Sequence, residues 1–390
     1  MAGSTPPASG TCRLQLPDRV CFFRWGPRSV VAGLDGDLVC WDWSGRPWAG
    51  VWDGRSWRRS LAGAYLELSD LRRARILVPC SAEQGRRWDR RAQRLARDLQ
   101  QALSAARGSL AALAPGLEPM IRDRSGDGPA FSRVYQPISI LPPDRYLSLV
   151  LQFSRGCPWN RCTFCHFYRD RDFRPLDRAA ARAHMEAVIE LLGPGISLRR
   201  GIFLADANAL AAPPSRIEQW LDLIHQAFPD DAPGPRAHGI YSFTDLLTGG
   251  EQQPDFWRRL ARGGLTGVYL GLETGDGELL ERLGKPGPPE RAVEMVARIK
   301  QAGLRVGVIL LAGFAGSLAA IHRRASLEVV GRLGLDRGDR VFVSPLVGAP
   351  DGVEILDPEG CREQARQVIE ALRRECGQRA VLYDIRRFVY

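Results

Sequence analysis

Residues 146–168 read YLSLVLQFSRGCPWNRCTFCHFY. An apolar run, YLSLVLQF, passes directly into a loop with cysteines at 157, 162 and 165 and a histidine at 166. A short continuous apolar run bounded by turn residues reads as a strand buried on both faces, the kind found in a parallel sheet covered by helices. The thiols therefore stand in the loop at a strand's carboxyl end. Thiolates at Cys-x4-Cys-x2-Cys spacing bind zinc or an iron–sulfur cluster. A structural zinc site takes four ligands, and the candidates for a fourth are His166 or a distant cysteine. His166 adjoins Cys165, poor geometry for chelating one small ion with it, and the chain holds no second Cys-x2-Cys pair. Three thiols suit a cubane cluster with one iron left open better.

The same texture continues beyond this segment. The runs GIFLADA, AHGIYSF, GVYLGLE, RVGVILLAGF and RVFVSPLV follow at nearly regular spacing. Between them lie the helical patterns RAAARAHMEAVIELLG, SRIEQWLDLIHQAF, PDFWRRLARGG, PPERAVEMVARIKQAG and AAIHRRASLEVVGRLG, most of them stopping at glycine. Six strand–helix repeats predict an α/β fold, a partial (β/α)6 TIM-like barrel over residues 141–356, with a doubly wound open sheet as the alternative. In either, chemistry belongs beyond the carboxyl ends of the strands. Residues 357–390 read as a C-terminal helix–strand tail that docks on the barrel or on the N-terminal part.

Upstream, residues 1–78 form a Trp/Gly-rich β region. Its turns LDGD, WSGR and WDGR separate short apolar pieces, the pattern of a β-meander whose tryptophans form its core. Residues 79–140 hold an arginine-rich amphipathic helix and a Pro/Gly-containing linker. The opening MAGSTPPASG lacks a basic start and an apolar stretch and reads as a disordered lead-in rather than a secretory signal. No run of about 18 apolar residues is present, so no membrane helix is expected, and the cytoplasm is the default location.

The net charge is +10, and lysine occurs only at 285 and 300 among 54 basic residues. Such charge attracts nucleic acid or a phosphorylated substrate, or is spread over a solvated surface. Nine cysteines in a chain of 390 residues, six of them scattered, argue against a disulfide framework.

With its cysteine loop and the order of its strand ends, the sequence resembles the radical S-adenosylmethionine (radical SAM) superfamily. The commonest motif there has three residues between the first two cysteines; here there are four, Pro158 to Arg161, as in some branches. The resemblance implies that Cys157, Cys162 and Cys165 hold one 4Fe–4S cluster whose open iron binds S-adenosyl-L-methionine. Phe164 would pack beside the adenine. IFLADANAL ends the second strand where the family places a Gly-Gly-Glu type motif, so Ala205, Asp206, Ala207 and Asn208 occupy the place of the methionine-amino group, without paired glycines or glutamate. GVYLGLETG looks like the family's GLESG element and puts Glu273 toward the ribose and methionine groups. VGVILLAGFAG, with Gly313 and Gly316, looks like the backbone that receives the adenine. Ser242 in YSFTDLL is a further candidate for the cofactor's polar groups.

The implied activity is reductive cleavage of S-adenosylmethionine to methionine and a 5′-deoxyadenosyl radical that abstracts hydrogen from a substrate. The implied partners are a small-molecule or peptide substrate, with RNA as the alternative, and a one-electron donor such as flavodoxin or ferredoxin. His166, Tyr168, Arg169 and Arg171 either approach the cofactor or form a solvated loop, and His184, His225 and His322 read as structural. No substrate acid, base or radical-quenching residue is located. The rival reading is a non-catalytic zinc or iron–sulfur interaction module.

Overall fold

The computed structural model describes residues 9–71, 74–229, 234–249, 252–285 and 287–390; most of the expected N-terminal lead-in, residues 1–8, lies outside them. The chain divides into two compact units. One comprises residues 1–138, 186–199 and 386–390, the other residues 139–185 and 200–385.

The first unit is built on an antiparallel meander in which each strand pairs with the next. Its strands are β1 (Gly10–Gln15), β2 (Val20–Trp25), β3 (Ser29–Leu34), β4 (Asp37–Asp42), β5 (Pro47–Trp52), β6 (Arg55–Arg59), β7 (Tyr65–Leu71) and β8 (Ala74–Pro79). The Asp-Gly pairs make the tight hairpins. Asp35 and Gly36 between β3 and β4, and Asp53 and Gly54 between β5 and β6, all have positive φ, from 50° to 85°, as two-residue turns matched to strand twist require. Helix α1 (Ala82–Ala105) begins at Ser81, whose hydroxyl accepts from the Gln84 amide at 3.1 Å. It buries Trp88, Ala92, Leu95, Ala96, Leu99 and Leu103, one face of a 3.6-residue period, into the core formed by the meander's tryptophans. Trp57, Tyr65 and Trp88 meet there with ring centroids 5.2–5.9 Å apart. The short helices α2 (Glu118–Ile121) and α3 (Asp127–Val134) complete the unit.

The second unit opens with β9 (Leu149–Gln152), followed by a two-residue antiparallel ribbon of β10 (Ser154–Arg155) and β11 (Arg174–Pro175). Helix α4 (Arg178–Leu192) comes next, its residues from Glu186 onward grouping with the first unit. Then come β12 (Ile202–Ala205), α5 (Pro214–Ala227), β13 (Ile240–Thr244), α6 (Pro254–Arg262), β14 (Leu265–Glu273), α7 (Gly277–Arg282) and α8 (Arg291–Gln301). β15 (Arg305–Ala312), α9 (Gly316–Arg332), β16 (Arg340–Pro345), α10 (Pro358–Glu375) and β17 (Ala380–Leu382) finish it. The fold is α/β around one parallel sheet. Its strand order, β9-β12-β13-β14-β15-β16-β17, follows the sequence. The first six strands are the six apolar runs of the repeat, and the seventh comes from the C-terminal tail, where Val341 pairs with Ala380 in parallel register. β9 and β12 are buried at every position, which is why they carry no alternation of apolar and polar residues. Among the described residues no helix is long and apolar enough to cross a membrane.

Candidate cluster and cofactor site

The three cysteines lie on the loop between β10 and β11, at the carboxyl end of β9. The ribbon ties the loop off at its base, and the Asp206 carboxylate accepts from the Gly156 amide at 3.1 Å and from Gln152 Nε2 at 2.6 Å. Burial holds the Asp206 carboxyl above its usual range, against the opposing effect of these hydrogen bonds. Within the loop, Asn160 adopts φ 51°, and its amide donates to Cys157 Sγ at 3.4 Å while its side chain donates to the Tyr168 carbonyl at 2.7 Å. The residues between the first two thiols thus make a turn braced from both sides. Arg169 donates to the carbonyls of Cys162, at 2.9 Å, and Cys165, at 3.3 Å.

The loop is also fixed to the turn after α7. Trp159 Nε1 donates to the Gly284 carbonyl at 2.7 Å, and the Thr163 amide to the Leu283 carbonyl at 3.0 Å. A Cβ at Gly284 would lie 2.7 Å from the Arg161 carbonyl oxygen, and the residue has φ 65°, so only glycine fits this approach. The next residue, Lys285, reaches into the cleft and pairs with Glu273. Their side chains are 10% and 8% exposed. Glu273 ends β14 with φ 64°, an uncommon conformation for a residue with a side chain. The register of β14 on β15 shifts between Gly271 and Glu273. Gly271 leaves room for the pair, since a Cβ there would lie 2.5 Å from Glu273 Oε1 and 2.7 Å from Lys285 Nζ.

Cys157, Cys162, Cys165, Phe164, Glu273 and Lys285 line one cleft of about 220 Å³, together with Ala207, Asn208, Thr244 and Asp245 from the ends of β12 and β13. Phe164 packs against an apolar cluster that includes Leu279, Leu283, Leu311 and Phe314. Burial pushes the Cys162 thiol up to about 12, with Lys285 acting in the opposite direction, and burial also raises Cys165. Lys285 is held above its ordinary value because the attraction of Glu273 and Cys162 outweighs its burial.

The other expected residues take different places. Asn208 lines the cleft but spends its amide on Asp245 Oδ2 and Thr248 Oγ1, both at 2.7 Å. Ala205 and Asp206 sit beside the cleft rather than in its lining. Ser242 is buried and donates to the Leu204 carbonyl at 3.0 Å; Thr244, two residues on and facing the same side, lines the cleft, and its buried hydroxyl has no hydrogen-bond partner among the described residues. The amides of Gly313 and Phe314 donate to Gln364 Oε1 at 2.6 and 3.0 Å, and Cys361 fills the space beside Gly313. Gly316 starts α9 outside the lining. His166 is exposed, Tyr168 is buried against the cleft, and Arg171 stands 3.6 Å from Asp206. His184 accepts from the Gln152 amide at 3.0 Å, and His322 is buried with Thr274 at 2.9 Å.

Sequence reading passed over Lys285, Thr244 and the tail residues Tyr383 and Ile385, which also line the cleft. A signal for Lys285 was present: it is one of two lysines in an arginine-rich chain, directly after the glycine that closes α7.

The donor set fits an iron–sulfur cluster and a polar, partly apolar cofactor. Three soft thiols share one cleft with a buried cation, an orphaned hydroxyl and an apolar wall. Among the described residues no group of three or more His, Cys, Asp or Glu side chains is arranged to hold a single metal ion.

The chain is also similar to known proteins. Residues 151–317 match the Radical SAM superfamily. The 4'-phospho-dehydrooxetanocin synthase of Priestia megaterium is 24% identical over 173 residues, 42% of this chain and 23% of that protein. A radical SAM methyltransferase from Sphaerobacter thermophilus matches with a TM-score of 0.41 and 14% identity, over 61% of this chain and 65% of that one. Coproporphyrinogen III oxidase from Escherichia coli, a radical SAM enzyme, matches with a TM-score of 0.43 and 15% identity, over 58% and 52%. The chain thus spans less than a quarter of the curated relative it matches. Residues 151–317, which contain the three-cysteine loop and the Glu273 strand end, thus match the radical SAM superfamily, whose members use a 4Fe–4S cluster and S-adenosylmethionine.

Proposed function

We propose that this chain is a radical SAM enzyme in which Cys157, Cys162 and Cys165 hold a 4Fe–4S cluster and the adjoining cleft holds S-adenosylmethionine. When bound, this pair supplies one-electron reductive cleavage of the sulfonium to methionine and a 5′-deoxyadenosyl radical, which abstracts hydrogen from a substrate. The observation that carries the reading is the meeting of all three thiols with the Glu273–Lys285 pair in one cleft at the carboxyl ends of parallel strands.

The chain's own residues have separable tasks. Lys285 offsets the negative charge gathered by three thiolates and Glu273 in a cleft of low polarity. Glu273, with one oxygen held by Lys285, presents the other to cofactor hydroxyl or amino groups. Thr244 offers an unengaged hydroxyl two residues beyond Ser242. Asp206 acts from behind the loop, as the anchor that orients Gly156 and hence Cys157. Phe164, Leu311 and Leu346 keep water from the reacting groups. The parallel sheet, we infer, curls as an incomplete barrel closed in part by the tail, with Tyr383 and Ile385 at its mouth. The reductant is a one-electron donor of the flavodoxin or ferredoxin class, and the substrate is a small molecule or peptide.

Anaerobic reconstitution tests this. The expected result is about four irons and four sulfides per chain, with 5′-deoxyadenosine released from S-adenosylmethionine under dithionite, and loss of both in Cys162→Ala. One zinc per chain and no cleavage would overturn it in favour of a metal-binding interaction module.

A further inference from the structure

A second cavity of this unit lies away from the cysteine loop, at the amino ends of the parallel strands. It measures about 790 Å³. Its walls are the residues just before β12, β13 and β14 and the first residue of β15. The size is that of a small-molecule site.

Its charge is one-sided. Arg145, Arg200, Arg236 and Arg305 face a single carboxylate, Asp144. That carboxylate is already engaged, accepting from Tyr269 Oη at 2.9 Å and pairing with Arg145 at 3.2 Å. Arg145 is fixed in place: its Nε donates to Tyr269 Oη at 2.7 Å and its guanidinium stacks 3.7 Å from the Tyr241 ring centroid. Arg236 is likewise held, 2.7 Å from His225 Nδ1.

The competing explanation is that these arginines only neutralise helix ends, since the carboxyl termini of the helices carry partial negative charge. It accounts for Arg236, whose Nε donates to the carbonyl of Phe228, the residue capping α5. It leaves Arg200 and Arg305 unexplained. Both are exposed on the cavity rim, and among the described residues neither side chain makes a hydrogen bond or a close ion pair; the nearest counter-charge effect is that of Arg305 on Asp336. Two anchored guanidiniums and two exposed ones around one concave space form a receptor for a multiply charged anion, and planar forks of this kind match phosphate oxygens in pairs.

We propose that this cavity binds a small phosphate-bearing ligand of nucleotide size. A concavity walled by strand ends favours a compact ligand over a nucleic-acid strand, which would track along an extended basic stripe.

The test uses the full chain with its cluster, saturated with S-adenosylmethionine so that no adenosine moiety can enter the cysteine cleft. ATP and pyrophosphate are titrated separately by calorimetry. The expected result is binding of at least one probe with a dissociation constant below about 1 mM, weakened at least roughly tenfold in Arg200→Gln/Arg305→Gln. Those two positions are exposed, so the variant is expected to keep its fold and its 5′-deoxyadenosine release. Binding of ATP alone would mean that the nucleoside contributes; binding of both would place recognition in the phosphates. No binding of either probe, binding unchanged in the double variant, or binding of an RNA oligonucleotide alone would each overturn the proposal.

Discussion

The indole of Trp159 donates to the Gly284 carbonyl at 2.7 Å, joining the spacer between the first two thiols to the turn that delivers Lys285. This contact, with that of the Thr163 amide on the Leu283 carbonyl, ties the thiol loop to the turn that carries the cleft's buried cation. Trp159→Phe keeps the ring and removes one neutral hydrogen bond, a loss of about 1 kcal/mol. It is expected to retain most of its iron after reconstitution, whereas Trp159→Ala also loses packing and falls well below. Equal iron content in Trp159→Ala and the parent chain would remove the contact from the assembly of the site.

Lys285 and Glu273 are each other's main counter-charge, and both side chains are nearly buried. Removing one strands the other. Lys285→Met is expected to cost about 3–5 kcal/mol in urea unfolding of the metal-free chain, and Lys285→Met/Glu273→Gln to recover a large part of it. Additive effects of the two substitutions would show that the pair is not coupled.

Cys162, pushed up to about 12 by burial, is almost wholly protonated near neutrality in the metal-free chain. Iodoacetamide at pH 8 should alkylate it roughly a thousandfold more slowly than a free thiol. Lys285→Met should slow it further, because Lys285 pulls the value down. Metal loading is then accompanied by proton release, measurable as a buffer-dependent heat. A reaction rate equal to that of a solvent-exposed cysteine would contradict the burial.

His322 is lowered to about 4 by burial. Its folded value lies below the unfolded one of about 6.5, so the unfolded chain takes up the proton first. The stabilisation is complete above about pH 6.5 and is lost as pH falls toward 4, by on the order of 3 kcal/mol. Urea unfolding of His322→Gln should lack this component between pH 7 and 4. The same pH slope in variant and parent would assign it elsewhere.

Much of the second unit was legible because its strands are apolar without interruption and its helices are amphipathic, two periods that do not overlap. YLSLVLQF and RVFVSPLV could hardly be anything but buried strands. β17 was harder to place: AVLYDIRRFVY reads as a strand, but its position as the seventh parallel strand depends on α10 crossing over, a long-range matter that local pattern does not encode. The meander was legible from its Asp-Gly turns, whose positive φ is a local requirement.

The site was legible where chemistry is carried by type and spacing, as with the three cysteines, and less so where it depends on which side chain a strand end turns inward. Ser242 and Thr244 share a face, and only the strand's exit point separates a residue bonded inside the sheet from one at the cleft. Lys285 follows from a fold-back after α7 that brings a residue twelve positions from Glu273 against it. Gly313, expected to offer its backbone, has that backbone satisfied by Gln364 from the tail, a contact between segments 51 residues apart.

The ribbon of β10 and β11 gives the thiol loop both its exit and its return at one edge of the sheet, so the loop behaves as a clip mounted on that edge. Its interior can lengthen or shorten without displacing a strand, since β9 and α4 feel only the two fixed ends. The left-handed turn at Asn160, between the first two thiols, lies wholly inside that clip.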